Sequence, residues 1–159
     1  MSPGARRLRP GSAILVGGFI GGALDLAFAI TMALLRGDTA ADLLRLVASG
    51  ALGEAALAGG AGTAALGLAF HFVLSWGWAA LICASVRSLS GGLARRPVAT
   101  AAIAGTLVFL LMREVMLPLS AFPFPMPLAF SLPLLLDWLW HMFLFALPMV
   151  LAARRTRTD

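Results

Sequence analysis

Gly17-Gly18-Phe19-Ile20-Gly21-Gly22-Ala23-Leu24-Asp25-Leu26-Ala27-Phe28-Ala29 is the stretch whose reading decides the fold. It lies inside a run from Ala13 to Leu35 whose single charge is Asp25. About 20 apolar residues let a helix cross a bilayer, so this run is long enough to span and sets a carboxylate near its centre. Such a carboxylate costs about 2.5–3.5 kcal/mol on insertion scales, and ionisable groups at that depth face the bundle interior and pair. Every fourth position reads Ala13, Gly17, Gly21, Asp25, Ala29 and Ala33, a smooth groove holding one acid. A cleavable signal peptide competes, with Ala27-Phe28-Ala29 as its small-x-small site. The run continues to Leu35 without a polar boundary and carries an acid where a signal core is purely apolar, which favours a retained span.

Outward from this helix the chain stays apolar. Of its 159 residues 60% are hydrophobic and 12% charged, against about 25% charged in a soluble domain. The expectation is one polytopic membrane bundle, with the lipid bilayer as its main partner. The net charge of +5 comes from twelve Arg and no Lys. Arg6, Arg7 and Arg9, then Arg87, Arg95 and Arg96, then Arg154, Arg155 and Arg157 each flank an apolar run. Clusters so placed set topology, so no nucleic-acid partner is expected. Cys83 is the lone cysteine, in an apolar run, and is expected to pack as a small apolar residue.

The first span covers 13–35. Thr39, with Asp42 three residues on, reads as a capping box with Asp in place of Glu or Gln. The segment 39–49 behind it is amphipathic and too short to cross, which suits the membrane surface or a bundle cap. The second span covers 62–86 and carries Thr63, Gly67, His71, Ser75, Ala79 and Cys83 at every fourth position. Small residues let helix backbones approach, and Thr, Ser and His hydrogen-bond across the gap. Thr63, Gly67 and Ser75 are therefore expected to meet Gly17 and Gly21 of the first span. The third span covers 98–117, with Pro97 opening it and Pro118 closing it. An uncharged loop with Pro123, Pro125 and Pro127 is held extended by its prolines, and its apolar side chains suit an ordered loop against the membrane interface or a cap over the bundle. The fourth span covers 134–152, with Pro148 distorting its lower end. Basic loops stay cytoplasmic, which places both termini inside.

At about 1.5 Å per residue, Asp25, His71 and His141 fall near the midplane, with Arg113, Glu114 and Asp137 above them. The expected pairs are Asp25 with His71, and Arg113 with Asp137 or Asp25, while Glu114 turns to the headgroups. Burial and pairing push the proton affinity of such groups in opposite directions, so an Asp–His pair could carry a proton or support small-solute transport. A static polar staple, or a homo-oligomeric or partner interface on the small-residue faces, competes with this. Bis-histidine haem ligation by His71 and His141, or a divalent metal on those two with Asp25, is a further alternative, although no cofactor is predicted. No Ser/His/Asp spacing, HExxH or phosphate loop points to an enzyme.

Val47-Ala48-Ser49-Gly50-Ala51-Leu52-Gly53, Gly59-Gly60, Thr63-Ala64-Ala65-Leu66-Gly67, His71-Phe72, and Met112 leading to Leu117-Pro118-Leu119-Ser120 carry a resemblance. In these the chain resembles a family of small four-span bacterial inner-membrane proteins without an assigned activity. The resemblance implies a helical inner-membrane protein and supplies no substrate. The family's counterparts of Arg113 and Glu114 tend to be uncharged, which shifts weight to Asp25 and His71. The fold expected is an all-α four-transmembrane-helix bundle with a short amphipathic helix between spans one and two.

Overall fold

The computed structural model describes residues 8–88, 93, 95–125 and 129–156. Arg6, Arg7, Arg157, Met126 and Pro127 lie outside the described residues. The protein is an all-α bundle with no strand among the described residues. Helices α1 (Pro10–Leu35), α3 (Ala61–Ser88), α4 (Pro97–Leu119) and α5 (Leu132–Arg154) are each long and apolar enough to cross a membrane. The chain is a multi-pass membrane protein. Helix α2 (Ala40–Leu52) and a 3-10 turn (Glu54–Ala58) join α1 to α3.

Local chemistry accounts for the boundaries. Pro10 and Pro97 sit in the first turns of α1 and α4, where a missing N–H removes no helical bond. The Thr39–Asp42 capping box forms as the sequence requires. The Asp42 N–H donates to the Thr39 hydroxyl (3.1 Å) and the Thr39 N–H to the Asp42 carboxylate (2.9 Å). The Thr39 hydroxyl in turn donates to the Asp42 carboxylate, and that bond first, with the one from the Thr39 N–H, holds the Asp42 carboxyl below its ordinary value.

The glycines decide how the helices pack, and here the structure corrects the expected pairing. A Cβ added to Gly17 would lie 3.0 Å from Met149 Cα, and one on Gly21 would lie 2.5 Å from the Phe145 carbonyl oxygen. Both groups belong to α5. The stripe one residue on faces α3: a Cβ on Gly18 would meet Trp76, and one on Gly22 would lie 2.6 Å from Ser75 Oγ. Helix α1 thus carries two glycine stripes about 100° apart, and the Gly17/Gly21 stripe seats the fourth span rather than the second. Gly67 does not meet α1 either. A Cβ there would collide with the Leu44 carbonyl oxygen of α2, so Gly67 is the notch in which α2 rests. Thr63 lies at its own helix entry, against Gly59. Of the small residues expected between the first two spans, Ser75 is the one found there.

Below the site, Ala79, Ile82, Cys83, Val86, Ala101, Val108, Phe145, Ala146, Met149, Val150 and Ala153 form one buried cluster of α3, α4 and α5. Cys83 packs there at 3% exposure, as an apolar filler. The Leu8 N–H donates to the Arg155 carbonyl (3.1 Å), so the start of α1 and the end of α5 share one face of the bundle.

Two helices carry a single widened turn, Met112–Met116 in α4 and His141–Phe145 in α5. Each lies just ahead of a proline, Pro118 and Pro148. A proline ring clashes with the carbonyl four residues back and withholds the N–H that carbonyl needs. Those positions are Glu114 and Leu144, inside the two π-helical turns. Widening the turn moves the carbonyl off the ring, so α4 runs on through Pro118 to Leu119. The helix ends one residue past Pro118, close to the expected stop, with the π-turn lying ahead of the proline.

Candidate functional site

Helix α1 delivers Asp25 to the centre of the bundle, one turn outward from Gly21. The imidazole facing it comes from α5: His141 Nε2 lies 4.0 Å from Asp25 Oδ1, with the two side chains 16% and 18% exposed. On its other edge His141 Nδ1 lies 2.9 Å from the Asp137 backbone carbonyl and 3.2 Å from Asp137 Oδ1. A carbonyl only accepts, so Nδ1 carries a proton and donates it to Asp137. That fixes Nε2 as the nitrogen that meets Asp25 and can gain or lose a proton. Asp25, His141 and Asp137 therefore form a ladder along one wall, in place of two separate layers.

His71 takes a different partner from the one expected. Its Nε2 lies 2.8 Å from the Gly22 carbonyl, so Nε2–H is the donor and the α1 backbone the acceptor. One turn on, Ser75 Oγ donates to the Gly18 carbonyl (2.7 Å). Trp76 Nε1 reaches the Leu15 carbonyl (3.3 Å) and Trp140 Nε1 the Leu24 carbonyl (3.1 Å). At Gly18 and Gly22 the missing Cβ leaves the α1 backbone open to the α3 donors. The expected Asp25–His71 pair is thus replaced by Asp25–His141, with His71 as the next imidazole along.

The ladder lines a cavity of about 490 Å³ bounded by α1, α2, α4 and α5. Its floor carries Asp25, Asp137 and His141, and Arg36 and Arg113 also line it. Arg36 pairs with Asp38 at 3.5 Å, with more than half of each side chain exposed, which puts this end at the mouth. Where the sequence expected Arg113 on Asp137, the ion-pair partner of Asp137 is His141. The Arg113 guanidinium lies 5.5 Å over the Phe109 ring, and the Phe109 ring meets the His141 ring edge-on, with centroids 5.6 Å apart. Glu114 is exposed on the outside of α4, as its offset of about 100° from Arg113 implies.

Sequence reasoning missed the π-turns that hold Arg113 and His141. Pro118 and Pro148 were visible in the sequence, but a proline distorts a helix in more than one way and does not by itself name a π-turn. The haem and metal alternatives bear on the same ring nitrogens. His71 Nε2 and His141 Nδ1 are both committed to backbone carbonyls, so axial ligation through the Nε2 atoms would break the first bond. Among the described residues no group of three His, Cys, Asp or Glu side chains converges as a metal would require. No protein family, curated protein or solved structure matches the chain.

Proposed function

We propose that the protein moves a small polar solute, coupled to a proton carried by the Asp25–His141 pair. The observation that supports this is His141 held between two carboxylates on the wall of a cavity with an arginine-bearing mouth. Nδ1 donates to Asp137, so Nε2 is the ring nitrogen left to exchange a proton, with the Asp25 carboxyl 4.0 Å away. A solute entering past Arg36 shares the cavity with that proton and with Arg113. Its own charge changes the cost of holding a second charge there. A π-turn at the same residue fits the frequent use of such turns at functional sites.

The setting we infer is a bacterial inner membrane, within the small four-span family the sequence resembles. The cytoplasmic face is the one bearing Arg9, Arg87, Arg95, Arg96, Arg154 and Arg155. Clustered arginines there against Arg36 and Arg45 opposite support that orientation, as does the meeting of Leu8 with Arg155.

The test is solid-supported-membrane electrophysiology on proteoliposomes, with small carboxylates, amino acids and amines as solutes. One solute class should give a saturable current that grows with an opposing pH step, and Asp25→Asn should lose that current at least tenfold. A chain silent with every class, or an Asp25→Asn variant that keeps the wild-type current, overturns the reading.

A further inference from the structure

A second cavity, of about 470 Å³, lies on the other side of His71, between α2, α3 and α4. Val47 and Gly50 of α2, His71 and Leu74 of α3, and Met112 and Met116 of α4 line it. Ser120 and Phe122 close its outer end, where the Ala121 N–H donates to the Gly50 carbonyl (3.0 Å). The walls are almost wholly apolar, and two polar side chains reach them. Ser120 is already satisfied: its hydroxyl donates to the Leu117 carbonyl (2.7 Å) and accepts from the Phe122 N–H (3.1 Å). His71 is not. With Nε2–H given to Gly22, Nδ1 is the ring nitrogen left to accept, and among the described residues nothing donates to it. A site of this size with apolar walls and one placed polar group has the make-up of a small-molecule pocket.

We propose that this cavity binds a neutral, largely apolar molecule carrying one hydrogen-bond donor, an alcohol or phenol, with the donor on His71 Nδ1. An acyl chain would match the walls and leave the acceptor unmet, so it is the weaker occupant. A charged ligand would meet no counter-charge among the lining residues. The inference stands apart from the transport reading, because it concerns equilibrium binding in a different cavity and needs no gradient.

Gly50 provides the control. A Cβ added there meets Ser120 Oγ at 4.0 Å and nothing nearer, so Gly50→Leu would project into the cavity without a backbone clash. Leucine is also the better helix former, so this variant should fold as well as wild type, which its melt checks. The probes are 2-naphthol and 2-methoxynaphthalene, which share a ring system and differ in the donor. Binding to the full-length protein in nanodiscs is read by equilibrium dialysis, with circular dichroism melts on each variant. The expected result is saturable one-to-one binding of 2-naphthol, about three- to tenfold tighter than the ether, the range one hydrogen bond supplies. His71→Phe should erase that difference, and Gly50→Leu should abolish saturable binding of both probes while its melt is unchanged or raised. Equal affinities in wild type, no saturable binding, or unchanged binding in Gly50→Leu overturns the proposal. A lipid held by wild type in native mass spectrometry and lost from Gly50→Leu overturns it too, in favour of an acyl chain.

Discussion

Gly105→Ala adds a single methyl group where α4 crosses the widened turn of α5. The new Cβ would collide with the His141 carbonyl oxygen and lie 2.5 Å from Met142 Cα. Both are backbone atoms on the facing helix, so no rotamer change relieves the contact and the helices must part. Overpacking costs typically 1–3 kcal/mol, and a backbone obstacle puts this substitution at about 3 by that range. Against it stands the gain of about 1 kcal/mol for replacing an interior helical glycine with alanine, leaving a net loss of about 2 kcal/mol. Gly77→Ala is the matched control, since a Cβ there has nothing within 4 Å. It should gain about 1 kcal/mol, so the two variants should differ by about 3 kcal/mol. Reversible unfolding in mixed micelles titrated with dodecyl sulfate, followed by circular dichroism, measures both. A Gly105→Ala variant as stable as Gly77→Ala would mean that α4 does not rest on the His141 turn, and the ladder geometry would fall with it.

Two smaller effects follow from the same structure. Ser75→Ala removes the bond to the Gly18 carbonyl, and should cost about 0.6 kcal/mol, at most about 1.7, as buried bonds in membrane bundles do, in the same titration. At the exposed end of α2, the Asp42 carboxyl is held below its ordinary value by Thr39. Its contribution is complete above the unfolded value and is lost as the pH falls through the lowered folded one. Thermal melts from pH 6 down to pH 3 should fall further for wild type than for Asp42→Asn, and parallel curves would refute the cap's role.

Much of the architecture was legible because apolar length is a one-dimensional property. The first span, read as 13–35, is Pro10–Leu35, and the last, read as 134–152, is Leu132–Arg154. The capping box at Thr39 was legible for a similar reason, since all its partners lie within one turn. Helix pairing was harder. A period of four singles out a face of α1, but Gly17/Gly21 and Gly18/Gly22 are adjacent faces of equal smoothness, and composition does not say which neighbour takes which. Choosing the first stripe for α3 put His71 on Asp25. The contact that forms depends on α5 lying against Gly17 and Gly21, a long-range fact absent from local pattern. Asp137 and His141 were seen one turn apart, yet the ladder with Asp25 needed that same helix order.

Backbone acceptors on α1 explain how polar side chains are tolerated at this depth. An unmet donor in hydrocarbon costs several kcal/mol, and the usual remedy is a side-chain partner on the next helix. Here the partner is backbone. Leu15, Gly18, Gly22 and Leu24 of α1 accept from Trp76, Ser75, His71 and Trp140, each with a carbonyl already inside a helical bond and able to take a second on its other lone pair. Four donors from two helices are thereby satisfied without using the α1 carboxylate. Asp25 is left to His141, whose own Nδ1 is occupied by Asp137. The fold thus leaves the Asp25 carboxyl and His141 Nε2 facing each other at 4.0 Å beside the cavity.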